Sequence, residues 1–445
     1  MKVAVVGAGW AGLAAAVDLK ADGHDVTVFE AAHTPGGRAR RVVRASTQDP
    51  MDNGQHILLG AYTETLDLMS RLGRDSEKLL WRVPLQWGSL DGTVSLRTPK
   101  WPAPGWPAPW HAIWALLTAR GLSLSDRVAA ARLIASVRRD PTPDAGGARA
   151  PTVAQWLASH KQPPSLVRAL WAPLCLAALN TPVATACAGL YARVLKDSLT
   201  RDAQASDLIL PRSDLSDLWP DAAARKVRMR FGTTIRSLSW GDDTVVLNGE
   251  AFDAAILAIP PGSVARLIAP YALTPAGAAL LNQLRSFTFL PIATLLLKLD
   301  EPYRLPMPMM MMRERPEKGH DGQWVFDRAQ MLSRPEDGEL TVVASAAQTL
   351  VQRDRDTVIA DLTEQLRSQV PARAPLPKVT LAELFIEKKA TFAAVCNLAR
   401  PANRTPWSRL VLAGDWTDTG YPGVLEGAVR SGRQAARLFK VRYGT

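Results

Sequence analysis

Near its start the chain reads Gly7-Ala8-Gly9-Trp10-Ala11-Gly12 between an apolar run and a helical pattern, and Glu30 closes the next apolar run. Gly7 permits a tight turn, Gly9 lets a pyrophosphate approach the backbone, and Gly12 lets a helix pack closely on a sheet. The amides of Trp10 and Ala11, at the positive end of that helix, can meet phosphate. Glu30 can accept hydrogen bonds from a ribose, and its charge disfavours a 2′-phosphate. The alternative is a glycine-rich turn with no ligand, against which the strand, the helix and the carboxylate all argue. Farther on, Pro35-Gly36-Gly37-Arg38 offers two glycines and a permanent cation to the same pyrophosphate. A plain NAD site does not need that second contact, so the pair of motifs points to FAD. Only one nucleotide fingerprint is present, and nothing in the sequence indicates a separate NAD(P)H site.

Such a cofactor needs a sizeable fold around it. At 445 residues, 47% hydrophobic and 21% charged, the chain is an ordinary globular sequence, long enough for two lobes around separate apolar centres. Cys175, Cys187 and Cys396 are widely spaced and form no Cys-x-x-Cys pair, which favours a reducing compartment. The six histidines show no His-x-x-x-His, and no metal site is expected. A net charge of +11 draws the surface to polyanions. The arginines are scattered without interleaved aromatics, so nucleic acid is not expected and an anionic membrane surface is. Lys2 ahead of the run Val3 to Val17 resembles a leader peptide, but Gly7, Gly9 and Gly12 would make a poor membrane-seeking helix. The charge-free window Ala169 to Ala192 contains Pro173, Asn180, Thr181 and Pro182, which break a lipid-exposed span. It reads as a buried helix followed by a turn.

The elements that must position the glycines follow from periodicity. Val3–Val6 as strand, Leu13–Lys20 as helix and Val26–Phe29 as strand make a βαβ opening. Strand-like runs return near Val227–Arg230, Ile235–Trp240, Thr244–Leu247, Ala254–Ala258 and Leu410–Ala413. Between them lie a helical, Trp- and Pro-rich stretch with a probable loop at Asp140 to Pro151, and a second stretch with an apparent helix near Thr357 to Ser368. The cofactor domain is therefore expected to be discontinuous (1–65, 209–273 and 377–445), with 66–208 and 274–376 forming a substrate domain.

The opening fingerprint with Glu30, Gly36-Gly37-Arg38, and Gly414-Asp415 leading to Glu426-Gly427-Ala428 together resemble the amine-oxidase-like FAD superfamily. That resemblance implies an α/β fold: a Rossmann-type FAD-binding domain with a mixed α+β substrate domain. It also places Asp415 on the ribityl-pyrophosphate region and the backbone around Leu425 under the flavin carbonyl. Three longer segments, Asp52 to Tyr62, Leu174 to Pro182 and Ala413 to Gly420, resemble the hydroxysqualene dehydroxylase branch of bacterial hopanoid synthesis. The branch implies reductive removal of a hydroxyl from hydroxysqualene, with hydride passing from reduced flavin N5 to an allylic cation and squalene as product. It also implies a long polyprenyl or triterpene substrate and, as possible partners, the preceding squalene-pathway synthases. The location to expect is then cytoplasmic, peripheral at the inner face of the membrane. Rival readings are a polyprenyl or carotenoid desaturase, an amine oxidase, and a lipid-transfer flavoprotein without turnover.

Gly54, Gln55, His56, Ile235 and Gly414 join the cofactor contacts expected above. His56, which the family places beside the flavin and which can titrate near neutral pH, is the first candidate acid, followed by Asp418 and Tyr421. Asp52 reads as capping a turn. Where amine oxidases carry one Tyr of an aromatic cage, this chain has Val424, although Trp416 and Tyr421 could rebuild the cage. Cys396 has no motif support for covalent flavin attachment. Trp106, Trp110 and Trp114, four apart, with Ile113 and Leu117, suit either a membrane interface or a core-facing helix. Met307 and Met309 to Met312 suit either a lipid tunnel or core filling.

Overall fold

The computed structural model describes residues 1–43, 50–98, 108–146, 150–241 and 243–443. Strand β1 (Lys2–Val6) runs into Gly7, whose φ of +103° ends the strand, and helix α1 (Trp10–Ala21) starts directly after Gly9, its N-cap. Strand β2 (Asp25–Phe29) returns parallel to β1. A Cβ on Gly12 would stand 1.9 Å from the Gly7 carbonyl oxygen, so only glycine lets α1 begin this close to the strand. Helix α1 is apolar almost all round because it is covered on both sides, by the sheet and by the last helix of the chain.

The chain then leaves the sheet for a helical insertion. Its principal helices are α2 (Trp110–Leu117), α3 (Leu124–Arg139), α4 (Ala172–Leu179) and α5 (Ala188–Leu199). A π-helical turn, Val167–Trp171, feeds α4, and Asn180 ends it in the left-handed conformation (φ +48°). Asn180 Nδ2 donates to the Leu290 carbonyl and Thr391 Oγ1, and its Oδ1 accepts from the Ala346 amide at 2.6 Å, which staples α4 to the neighbouring sheet. The charge-free window around α4 is thus a helix and a turn. Among the described residues no helix is long and apolar enough to cross a membrane.

Strands β3 (Arg228–Arg230) and β4 (Ala254–Leu257) bring the chain back to the parallel sheet. A five-stranded antiparallel sheet follows: β5 (Phe289–Leu299), β6 (Met309–Met311), β7 (Trp324–Asp327), β8 (Gly338–Ala344) and β9 (Val379–Phe392), in the order β6-β7-β8-β5-β9. The chain finally returns as β10 (Leu410–Leu412) and α6 (Leu425–Tyr443), completing a parallel sheet ordered β3-β2-β1-β4-β10. A Cβ on Gly432 of α6 would meet the Ala11 carbonyl oxygen at 2.1 Å, so α6 lies tightly on α1.

Two expectations about the domain boundaries need correction. Residues 379–392 pair with β5 and belong to the antiparallel sheet, so the boundary drawn at 377 moves to the end of β9. A small sheet of Leu58–Leu59, Leu208–Pro211 and Leu80–Val83 straddles the boundaries drawn at 65 and 208. Each lobe has its own apolar centre, one around α1 and α6 on the parallel sheet and one beneath the antiparallel sheet. A third core joins them, running from Val6 and Phe29 on the parallel sheet through Trp171 and Tyr191 of the helical insertion to Phe392. The sheet face toward the insertion is apolar because the helices, rather than solvent, cover it.

Candidate active site

Between the parallel sheet, the helical insertion and the antiparallel sheet lies a cavity of about 910 Å³. One pole is polar and built largely of backbone. Gly7, Gly9, Trp10, Ala11, Glu30, Gly36, Gly37 and Arg38 line it, together with Gly54, Gln55, His56, Ile235, Gly414, Asp415 and Leu425. The structure therefore brings together every residue expected to touch the cofactor except Gly12, which is packed under the turn.

The pole fits an extended dinucleotide on its own geometry. Helix α1 has no side-chain cap and no acidic residue in its first turn, which leaves its first amides available to an anion. Gly37, at φ +63°, would put a Cβ 3.0 Å from the Gly9 Cα, so the two glycine loops touch and share one phosphate-sized cradle. Arg38 donates to Asp415 Oδ1 at 2.7 Å and to the Ala390 carbonyl at 2.8 Å, tying the N-terminal loop to the C-terminal return. The Glu30 carboxylate accepts from the amides of Ala8 (2.7 Å) and Ala32 (2.8 Å), so it is fixed at the end of β2 with lone pairs to spare. Trp10 turns its indole N–H to the Ala39 carbonyl and packs edge-on against Trp219, so its backbone alone faces the cradle.

The other pole is apolar. Leu85, Trp87, Leu116, Leu170, Trp171 and Leu174 are among its walls, with Ala177 and Ala178 of α4. Met309 lines it, whereas Met307, Met310 and Met312 are buried in the core beneath the antiparallel sheet. The methionine run thus divides between cavity wall and core.

The candidate acids fall differently. His56 Nδ1 lies 3.0 Å from the Gly54 carbonyl; a carbonyl only accepts, so Nδ1 carries the proton and Nε2 presents a lone pair. Burial holds this imidazole below its usual range, and Arg38 adds to the effect against the Gly54 bond. At neutral pH the ring is uncharged with its N–H turned away. Asp418 is exposed and does not line the cavity. The reason is Arg400, whose guanidinium bonds the carbonyls of Asp415, Trp416, Thr417 and Tyr421, so the segment wraps around it and Asp418 points outward. Burial still lowers the Arg400 pKa to about 10, leaving it cationic at neutral pH. Tyr421 does line the cavity, 5% exposed, and burial raises its phenol, so the proton stays on. Its hydroxyl donates to Asp197 of α5, a cavity residue that sequence reasoning missed because a helical Asp in an amphipathic segment carries no distinguishing signal. Asp52 accepts from the Leu215 amide at 2.7 Å, fixing the start of helix Leu215–Leu218, and burial raises its carboxyl to about 7.

Val424 lines the cavity beside Trp416 and Tyr421, but these aromatics make no open cage. Guanidiniums of Arg193 and Arg430 lie 5.1 and 4.8 Å from the Tyr421 ring centre, where they would repel an ammonium group. Cys396 is outside the lining, its thiol on the Pro151 carbonyl. Among the described residues no three His, Cys, Asp or Glu side chains cluster as a metal site would require.

The model of the family described as flavin containing amine oxidoreductase matches residues 10–438. The chain belongs to that family. It is an FAD-dependent oxidoreductase. It is similar to hydroxysqualene dehydroxylases of Rhodopseudomonas palustris, 28% identical over 98% of this chain and 97% of the relative, and of Sinorhizobium fredii, with the same three figures. Among solved structures, an oxidoreductase from Methanosarcina mazei superposes with a TM-score of 0.71 at 18% identity, covering 98% of this chain and 100% of the other. That likeness shows the family's fold of a parallel FAD-binding sheet beside a mixed α+β domain.

Proposed function

We propose that the protein removes the hydroxyl of hydroxysqualene reductively, giving squalene. The observation that carries this reading is the cavity itself, in which the flavin cradle opens directly into an apolar arm without an amine cage. The full-length similarity to hydroxysqualene dehydroxylases supports the substrate. Overall, a C–O bond breaks and a C–H bond forms; one hydride and one proton are consumed and water leaves. Reduced FAD supplies the hydride. The chain's residues hold the substrate, exclude water and deliver the proton. Of the three candidate acids, Tyr421 alone both lines the cavity and presents a held proton, and we assign it to the leaving oxygen. The neutral His56, with Nε2 as an acceptor, is assigned to orienting the flavin or the substrate. Mixing the dithionite-reduced holoenzyme with hydroxysqualene without oxygen should return the yellow oxidised flavin and yield squalene. A flavin that stays reduced with no squalene refutes the reading, and bleaching of the oxidised enzyme by a polyprenyl hydrocarbon would assign the opposite direction.

The substrate's insolubility gives α2 a second role in this reading. Trp110, Trp114 and Leu117 are 56%, 45% and 53% exposed, and Leu124 and Val128 of α3 extend the face. Trp101 and Trp106 lie outside the described residues. Over 108–139 the only acidic residue is Asp126, which is buried on Ser123 and Ser165, whereas Arg120 and Arg132 are exposed and Arg127 partly so. An apolar face ringed by cations fits an anionic bilayer. The opposite side of α2 supplies Ala112 and Leu116 to the cavity, which places the apolar arm one helix away from that surface. Trp110→Ser with Trp114→Ser should cut pelleting with anionic liposomes severalfold while leaving flavin content unchanged. Equal pelleting would remove the membrane from this account.

A further inference from the structure

Tyr421 and Asp197 come from opposite walls of the cavity, one from the segment between Asp415 and α6, the other from α5. Each is held by groups other than its partner. The Tyr421 carbonyl accepts from Arg400 at 2.6 Å and its ring lies beside Arg193 and Arg430. Asp197 Oδ2 accepts from Arg193 Nε at 2.9 Å, one helical turn away. Their mutual hydrogen bond is therefore dispensable to their placement and can be exchanged for another. Away from this charged group the arm is lined by Leu85, Trp87, Leu116, Leu170 and Leu174, so a substrate oxygen placed among them would lose its hydrogen bonds to water without replacement.

We propose that the Tyr421–Asp197 hydrogen bond is a placeholder for the substrate's hydroxyl, which inserts between the two side chains, accepting from Tyr421 Oη and donating to the Asp197 carboxylate. This deepens the dehydroxylation reading and rests on it for the identity of the alcohol. A hydroxyl is suited to both halves of the exchange, because it is donor and acceptor at one atom. An ether can make the first contact only, and a hydrocarbon neither. Once the oxygen has left as water and Tyr421 has regained a proton from solvent, the direct Tyr421–Asp197 bond re-forms and the product retains only apolar contacts. The subsite thus selects alcohol over hydrocarbon and favours release of the product.

The test is equilibrium binding to the oxidised holoenzyme, followed by the flavin's absorbance changes, with hydroxysqualene, its methyl ether and squalene. The wild type should bind the alcohol about tenfold or more tighter than the ether, and the ether tighter than squalene, as the loss of one charge-assisted hydrogen bond requires. Asp197→Leu should bring the alcohol down to the ether, and Tyr421→Phe, which keeps the ring under its two guanidiniums, should weaken both toward squalene. Squalene binding should be unchanged in each variant. If the wild type binds the three ligands equally, or the variants weaken all three alike, the pair is merely a staple between two walls and the proposal fails. Should Asp197→Leu not fold, Tyr421→Phe and the three wild-type affinities still decide. No turnover enters these measurements, so enzyme that makes squalene but binds without preference refutes this subsite alone, whereas enzyme that makes no squalene refutes the reaction.

Discussion

Arg38→Ala is expected to fold and to purify colourless. The guanidinium is the one group that bonds both the C-terminal carboxylate of the cradle, Asp415, and the backbone at Ala390, and it lines the pole expected to take a pyrophosphate. Its removal leaves the Asp415 side chain, 9% exposed, facing an anionic ligand without the intervening cation. Because Arg38 is itself 39% exposed, solvent screens part of the interaction. A charge-assisted contact of about 2 kcal/mol remains a fair magnitude, which is about thirtyfold in flavin affinity. The ratio of flavin to protein absorbance measures this directly, and circular dichroism checks the fold. Full yellow occupancy in the variant would dissociate Arg38 from the cofactor. Glu30→Ala should behave in the same way through loss of the ribose contact.

Ala177→Trp should produce the reverse phenotype: yellow protein that has lost turnover. Ala177 lines the apolar arm from α4 and is exposed there. An indole there fills space reserved for a long chain without disturbing the core behind α4, where Cys175 and Leu179 are buried. Rates with a triterpene alcohol should fall about a hundredfold or more, since misplacement of the reacting carbon by an ångström already costs that much. Reduction of the flavin by dithionite should be unaffected. Unchanged rates would place the substrate outside the arm.

The two phenotypes separate what was legible in the sequence from what was not. The cofactor pole is written in short-range signals: Gly7, Gly9, Gly12, Gly36 and Gly37 are demanded by backbone geometry, and backbone demands leave a fixed residue type at a fixed spacing. The apolar arm leaves no such trace, because Leu116, Leu170 and Leu174 line a cavity with the same side chains that would fill a core. Asp197 meets Tyr421 across 224 residues, and nothing local to either predicts the meeting. Asp418 shows the opposite error, a polar residue drawn into the site by its nearness to Gly414-Asp415, when Arg400 gathers the backbone and turns the side chain out. The boundary at 377 misses β9, in which Glu383, Leu384 and Phe385 are buried in succession, so that strand carries no period-two signal to mark it.

The order of the parallel sheet has a bearing on how the molecule is made. Its first two strands come early in chain order, but the strand at one edge, β10, comes far later, and the carboxylate that Arg38 grips lies 377 residues beyond it. During translation the opening βαβ unit must wait with one flank of its sheet unpaired and its helix α1 uncovered until α6 arrives. The cradle therefore closes only once the segment carrying Asp415 has been made. Capture of the vitamin-derived ligand at that late moment ties correctly assembled yield to cellular flavin supply, since a ligand that binds only the finished fold draws the population toward it.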